Sequence, residues 1–418
     1  MMTNEKIRKF NIYYLSFVTF LVAFGRISIW DIGSLGKHPE TFLPVCIITT
    51  LYLLIKEQKY PWPITLREKA FLVYAVFSSI SVFWGLEYNK SMHALREFWA
   101  AAAFVILIAC NVRNNNELKF FINVFIAGVL IRACFSIVEY FQGIGTISAS
   151  FAHYNVYANF LIVPISLLLG TFLYDSKNVG KKLFILTIFV LVVFTLFITM
   201  SRATIVAMML SVIVFSFLTN KKILVMAFIS ILMLVVIIYA FPNNEVSRRI
   251  RTVDWEDGSL QCRVRSIWPS AIEMYKDHNL VVGSGPGAYN ILLGDPVYRK
   301  ITQGRIHPHA HNVILHALVT QGLTGAVMYI FFIIQVAWLS WQNFRFSSDQ
   351  YFKALGAGGI IWLIAHVVAG IVHFEFQHSR FNMSVGFLVI VITLSYYLWK
   401  SPGKMEEKNE GFNSNSLL

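Results

Sequence analysis

Charge is scarce in this sequence. Asp, Glu, Lys and Arg make up 14% of its 418 residues, and 56% are hydrophobic. An ordinary soluble domain carries about 25% charged residues, so a soluble globular chain is excluded. Cysteine is also rare. Cys46, Cys110 and Cys134 fall in apolar runs and Cys262 stands outside them, which leaves no pair placed for an external disulfide. No Gly-rich loop runs into Lys-Ser or Lys-Thr, which sets aside a P-loop ATPase, and no His-Glu-x-x-His occurs, which sets aside a zinc protease. An Asp-x-Asp pair is missing too. The stretch "VDWEDGS" at 253–259 collects Asp254, Glu256 and Asp257, a set that could bind a hard cation. A solvated loop is the simpler reading, and no metal site is expected.

What the chain has in abundance is apolar runs long enough to cross a bilayer core, for which about 20 residues suffice. Twelve are expected, at about 10–28, 40–56, 69–86, 97–112, 118–142, 154–174, 183–200, 204–219, 223–241, 312–340, 354–373 and 381–399. In lipid the backbone must satisfy its own hydrogen bonds, so these are helices. Barrel strands would alternate in polarity, and these runs do not. The first run lacks a small-residue cleavage site and is read as a retained helix. The fold class is therefore an all-α polytopic membrane protein. Residues 1–241 carry nine helices, 242–311 form one long loop, 312–400 carry three more helices, and 401–418 form a polar, disordered tail.

The net charge of +13 raises the possibility of nucleic acid, but its distribution argues against such a partner. Nineteen Lys and Arg fall in one set of alternating short connections and five in the other. This is the positive-inside pattern. It predicts both termini in the cytoplasm and the 242–311 loop outside.

Ionisable residues inside spans are costly and so informative. Arg26, near the outer end of the first span, is explained equally by snorkelling. Arg132 and Glu139 lie seven residues apart on one face of the fifth span. They can form a structural pair with a neighbouring helix or line a ligand cavity. Arg202, in "TMSRATIVAMML", separates two apolar runs at the outer surface, as an interfacial anchor or as a guanidinium aimed into a cleft. In the loop, Trp268, Ala271, Ile272 and Tyr275 mark one face of an amphipathic helix. Arg263 and Arg265 precede that helix and "GSGPG" at 283–287 follows it. Gly283, Gly285 and Gly287 predict positive φ or close backbone approach rather than a dinucleotide fingerprint.

His307, His309 and His311 crowd the entry to the tenth span. Their alternation suits an extended segment, and no clear fourth ligand for zinc is present. Pro308 suits a helix start, which places His311 in the first turn. There the positive helix end disfavours imidazolium and leaves a ring able to accept a proton. Leu315, Val319 and Gly322 continue one face below it, and Gly322 and Gly325 predict close packing of a neighbouring helix. His307 and His316 are expected to be dispensable, His316 lying about 140° around the helix from His311.

Three blocks in this order resemble the O-antigen ligase and polymerase family of bacterial envelope proteins. They are Ser201-Arg202-Ala203, the loop block from Arg263 or Arg265 through Trp268 to Gly283-Ser284-Gly285-Pro286-Gly287, and His311-Asn312 with Leu315, Gly322 and Gly325. The resemblance spans about residues 190–335. It implies a GT-C-type glycosyltransferase fold with one large periplasmic loop, in the inner membrane of a Gram-negative bacterium. It implies an undecaprenyl-diphosphate-linked glycan as donor and, for a ligase, a sugar of lipid A-core as acceptor, with membrane lipid around both. Transfer would invert the anomeric centre without a required metal. His311, Arg202 and Arg263 are then the catalytic candidates. Arg265, His309, Arg132 and Asn312 are substrate-binding candidates. The family pattern has one arginine a few residues before the tryptophan. This chain has two, and Arg263 is preferred.

Ligase is the leading expectation because the chain has a single large late loop. An O-antigen polymerase shares the chemistry, and a protein O-oligosaccharyltransferase tends to be longer. A lipid-linked glycan flippase would spread its charges along a central cavity rather than gather His and Arg on one side.

Overall fold

The computed structural model describes residues 3–25, 38–57, 76–143, 147–148, 151, 153–175, 178–219, 259–305, 307–374, 376 and 378–400. Every regular element among them is helical. The chain is an all-α polytopic membrane protein, and ten helices among the described residues are long and apolar enough to cross a membrane. We number them α1 Asn4–Phe24, α2 Leu43–Glu57 with a 3₁₀ turn before it, α3 Tyr88–Asn111, α4 Asn115–Phe141, α5 Tyr154–Tyr174, α6 Val179–Ile198 and α7 Arg202–Thr219. Three short helices follow, α8 Trp268–Lys276, α9 Ala288–Leu292 and α10 Pro296–Ile301, and then α11 Val313–Phe346, α12 Gln350–Gly370 and α13 Ser379–Lys400. Of the twelve expected spans, that at 223–241 lies outside the described residues, and that at 69–86 is described only from residue 76. Arg26, the acidic trio Asp254, Glu256 and Asp257, and the tail 401–418 also lie outside them.

The enclosed centre is built from α5, α12 and α13. Small residues set its spacing. An added Cβ at Gly358 of α12 would stand 2.8 Å from the Ser166 carbonyl of α5, and one at Gly356 would stand 2.7 Å from the Ser340 carbonyl of α11. With lipid tails as apolar as leucine, such close backbone approach supplies the packing that holds helices together. The end of the bundle remote from the histidines is clamped by polar contacts. Arg8 Nη1 donates to Glu117 Oε1 at 2.7 Å, and Asn11 Nδ2 to Asn111 Oδ1 at 3.1 Å, joining α1, α3 and α4.

The short helices form a cap on α11 with a small core of its own, including Ala271, Met274, Tyr289, Leu292 and Tyr298, closed by Val319 of α11. The amphipathic face differs from the expected one. Ala271 and Met274 are buried while Ile272 is exposed, because the helix packs on the bundle through its small side. Residues 280–285 lie in a break of α11. Ser284 N donates to Val319 O at 3.0 Å, Gly285 N to Thr320 O at 2.7 Å, Leu323 N to Leu280 O at 2.8 Å and Thr324 N to Val281 O at 3.1 Å. The break is Gly322, at φ 65° and ψ −166°. A Cβ there would stand 2.6 Å from Gly283 N, and Gly283 is itself at φ 69°. Gly322 therefore admits a loop backbone rather than the neighbouring helix expected for it, and Gly325 faces its own helix's Gln321.

Candidate active site

Six of the long helices, α2, α3, α5, α7, α11 and α13, begin at the capped end of the bundle, α3 with Ser91 Oγ donating to Pro286 O of the cap and α2 beside Glu40, which accepts from Ser379 Oγ. Their unpaired N–H groups give that end a positive field. Local polar bonds fix each start. His153 Nδ1 accepts from Asn155 N at 3.2 Å. Ser201 Oγ donates to Asn155 Oδ1 at 2.7 Å and lies 2.9 Å from Thr204 Oγ1, which donates to Asn159 at 2.9 Å. This chain ties the start of α7 to α5. Met200 turns the chain at φ 58°, and Arg202, half-buried, is the first residue of α7. Ser379 N donates to Glu97 Oε2 at 2.7 Å and so fixes α13 to α3.

The histidines gather beside the start of α11. His311 is not in its first turn, because Asn312 is the N-cap and accepts from Leu315 N at 2.9 Å. His311 precedes the cap at φ 49°, a left-handed conformation costly for a residue with a Cβ. Pro308 lies in a bend rather than at the helix start. The backbone N–H of His311 donates to His309 Nδ1 at 3.3 Å, which requires that nitrogen to carry no proton. The His309 and His311 rings are 4.1 Å apart, and those of His307 and His311 5.7 Å. His311 Nδ1 is buried without a hydrogen-bond partner among the described residues.

Arg263 completes the group. Residues Arg263–Ile267 are π-helical, one turn before α8. Such a bulge re-aims side chains relative to an ordinary helix. Arg263 is buried and Arg265 exposed. Burial first, then the charges of His378 and Arg263, depress the His309 pKa to about 3. Burial, then His309 and Arg263, pushes His311 lower still. His307 is lowered by burial and by Arg305 and Arg263. These shifts hold the rings neutral at pH 7, and the same burial and neighbouring positive charge weaken their hold on a proton.

No motif or spacing pointed to His373, His153 and His378. His373 is buried, and burial followed by Arg263 and His309 lowers its pKa to about 3. His153 presses electrostatically on both His309 and His373. The connection from α12 to α13 brings His373 and His378 in, held by Asn312 Nδ2 donating to Ile371 O at 3.1 Å. Asn312 thus uses both ends of its amide to tie two chain segments together. Arg132 is sealed in the bundle, where its Nη2 lies 2.6 Å from Glu139 Oε2 on its own helix rather than on a neighbour. Arg380, near the start of α13, lies over the Phe151 ring at 5.3 Å.

Beside the histidines lies a cavity of about 430 Å³ between α3, α11 and α13. Phe374 forms the partition. It stacks on His316 at 3.7 Å and reaches His309 at 5.9 Å. Among the described residues, no three His, Cys, Asp or Glu side chains are grouped to hold a metal ion. Residues 187–330 match the family model described as O-antigen ligase, the family whose motifs the sequence displays. That segment carries Arg202, Arg263, Arg265, His309, His311 and Asn312. No curated protein matches the chain.

Proposed function

We propose that this chain, with its O-antigen ligase segment at 187–330, moves a glycan from undecaprenyl diphosphate to a sugar hydroxyl of lipid A-core. The reaction would run at the periplasmic face of a Gram-negative inner membrane, on a GT-C-type helical scaffold. The observation that carries this reading is a buried arginine, Arg263, set against the histidines at an end of the bundle where helix N-termini converge. That field suits a diphosphate. Arg202 and Arg263 each offer a planar fork for its oxygens. The acceptor oxygen attacks the anomeric carbon, the bond to the diphosphate oxygen breaks, and the electron pair leaves with the carrier. The acceptor proton passes to His311. Diphosphate against Arg263 offsets one of the positive charges that suppress His311's basicity, so donor binding prepares the base.

The test uses purified protein with carrier-linked glycan and lipid A-core. His311→Ala should slow transfer by about 10²–10⁴-fold and keep donor binding. Arg202→Ala and Arg263→Ala should lose transfer, Lys should rescue poorly because it lacks the fork, and Arg265→Ala should act normally. Full activity of His311→Ala would overturn the assignment of the base. In the native host, deletion should leave carrier-linked polymer and a lipid A-core without chains. A single repeat on the core would instead identify a polymerase.

A further inference from the structure

The turn at 279–283, "NLVVG", lies against α11 and carries an apolar tip. Leu280 is exposed, and Val281 is 60% exposed. Phe83 beside it is 86% exposed, and the next residue, Trp84, donates through its indole Nε1 to Val282 O at 3.1 Å. A turn in water can leave its carbonyls to solvent, and it usually carries polar residues at its tip. This one does neither. Leu280 O accepts from Leu323 N at 2.8 Å and from Tyr275 Oη at 3.1 Å, and Val281 O accepts from Thr324 N at 3.1 Å. Val281 N and Val282 N both donate to Asn279 Oδ1, at 3.0 Å and 3.2 Å, and Gly283 N donates to Asn279 O at 2.8 Å. The tip thus shows its side chains and encloses its backbone. Irregular backbone at membrane depth is tolerated only where protein satisfies its polar groups.

The surface around the tip is an apolar stripe of α11. Leu323, Val327, Ile330, Phe331 and Ile334 are exposed, at spacings that put them on one helical face. On a membrane-spanning helix such a stripe faces lipid tails. Leu323 is its first member and carries the N–H that bonds Leu280 O, so the tip continues the stripe without interruption. The height agrees. The helix from Leu323 to Phe346 is about 35 Å long, against a hydrocarbon core of about 30 Å. Arg345 near its far end is exposed and needs water, which puts Leu323 at the opposite edge of the core. Trp84 and Tyr275, half-buried beside the tip, are residue types that collect at that level. The charged residues lie on the α8 side of the turn, where Lys276 pairs with Glu273 at 2.8 Å and Asp277 is exposed.

We infer that this turn is a foot by which the cap enters the bilayer, its partner being the acyl chains of the leaflet on the capped side. The connection between spans is therefore not wholly aqueous. The turn that takes up the N–H groups of Leu323 and Thr324 at the break of α11 also holds lipid. It sets the height of the cap, and with it of Arg263 one turn before α8, against the plane of the lipid head groups.

Spin-label accessibility in the full chain, reconstituted in phosphatidylcholine vesicles, tests this. Cys46, Cys110, Cys134 and Cys262 are replaced by alanine, and a nitroxide is attached in turn to Leu280→Cys, Val281→Cys, Val327→Cys and Lys300→Cys. Val327 is the lipid reference, and Lys300, exposed on α10, is the water reference. Labels at 280 and 281 should collide with oxygen, which concentrates in hydrocarbon, and lose collisions with a water-soluble nickel chelate, as at 327. Collisions with the chelate equal to those at 300 would overturn the inference. Protection from both reagents would mean that protein, such as a second copy of this chain, covers the tip, and would overturn it too. The unsubstituted chain gives a second reading that no label can disturb. An apolar photoactivated carbene reagent dissolved in the same vesicles, with adducts mapped by mass spectrometry, should modify 280–282 together with 323–331 and spare Lys300. Adducts on 323–331 with none on 280–282 would overturn the inference whatever the labelled variants show.

Discussion

Replacing Gly322 by alanine tests how the cap is held on the bundle. The backbone there is at φ 65°, and an added Cβ would stand 2.6 Å from Gly283 N and 2.5 Å from the Val281 carbonyl carbon. A left-handed conformation costs an L-residue about 1–2 kcal/mol. Forcing an atom into occupied space costs about 1–3 kcal/mol. The contact is backbone on backbone, so no side chain can swing away to relieve it. The sum is about 3 kcal/mol, which falls on the four hydrogen bonds between residues 280–285 and 319–324. The bundle need not unfold to escape it, because the cap can lift locally. Amide exchange followed by mass spectrometry reads this directly. Protection of Ser284, Gly285, Leu323 and Thr324 should fall about 100-fold, at about 1.4 kcal/mol per decade, while α5 and α12 keep theirs. Gly304→Ala is the control. It shares a positive φ of 76°, but nothing lies within 4 Å of its added Cβ, so exchange at the break should be unchanged. Equal protection in Gly322→Ala and wild type would refute the reasoning, since it would mean that the break tolerates a side chain.

Glu139→Gln removes the carboxylate charge that faces the buried Arg132 guanidinium and should cost about 3–5 kcal/mol, whereas the double change Arg132→Met, Glu139→Gln should be close to neutral. Thermal unfolding in detergent compares them, and equal losses would show that the 2.6 Å pair does not act as a unit. His373 has its pKa depressed to about 3, against about 6.5 in an unfolded chain. The unfolded state therefore binds more protons between those values. Its contribution is complete above about pH 6.5 and shrinks as pH falls towards 3, by about 2 kcal/mol at pH 5. His373→Gln should flatten the stability curve between pH 5 and 7, and a curve parallel to wild type would show that the ring is not held neutral. A strong chelator should leave transfer intact, because the arginines carry the diphosphate charge. Loss restored by magnesium would turn attention to Asp254, Glu256 and Asp257.

Hydropathy alone determined the class of this protein and the existence of ten of its helices, but not their ends: those expected from 10 and from 97 begin at Asn4 and Tyr88, and that expected to end at 340 runs to Phe346. Existence was legible because a lipid environment makes an apolar run of this length fold on local terms. The glycine triplet at 283–287 was legible for the same reason: positive φ is a property of one residue. Gly283, Gly285 and Gly287 all show it. The order of Ser201-Arg202, Arg263 and His311 was enough to point to the family whose model matches residues 187–330. Tertiary structure decided which parts of those motifs meet. Arg263 and Arg265 are equivalent by spacing, and only the π-helical turn buries one and exposes the other. His311 leaves the helix because Asn312 takes the cap, with Ile371 fixing its amide from 59 residues away. His153 and His373 join the group, and Gln321 faces Ser78 across 243 positions. No periodicity encodes such meetings. They depend on how far α5, α11, α12 and α13 can approach, and that distance is set by small residues whose role appears only once the helices are packed.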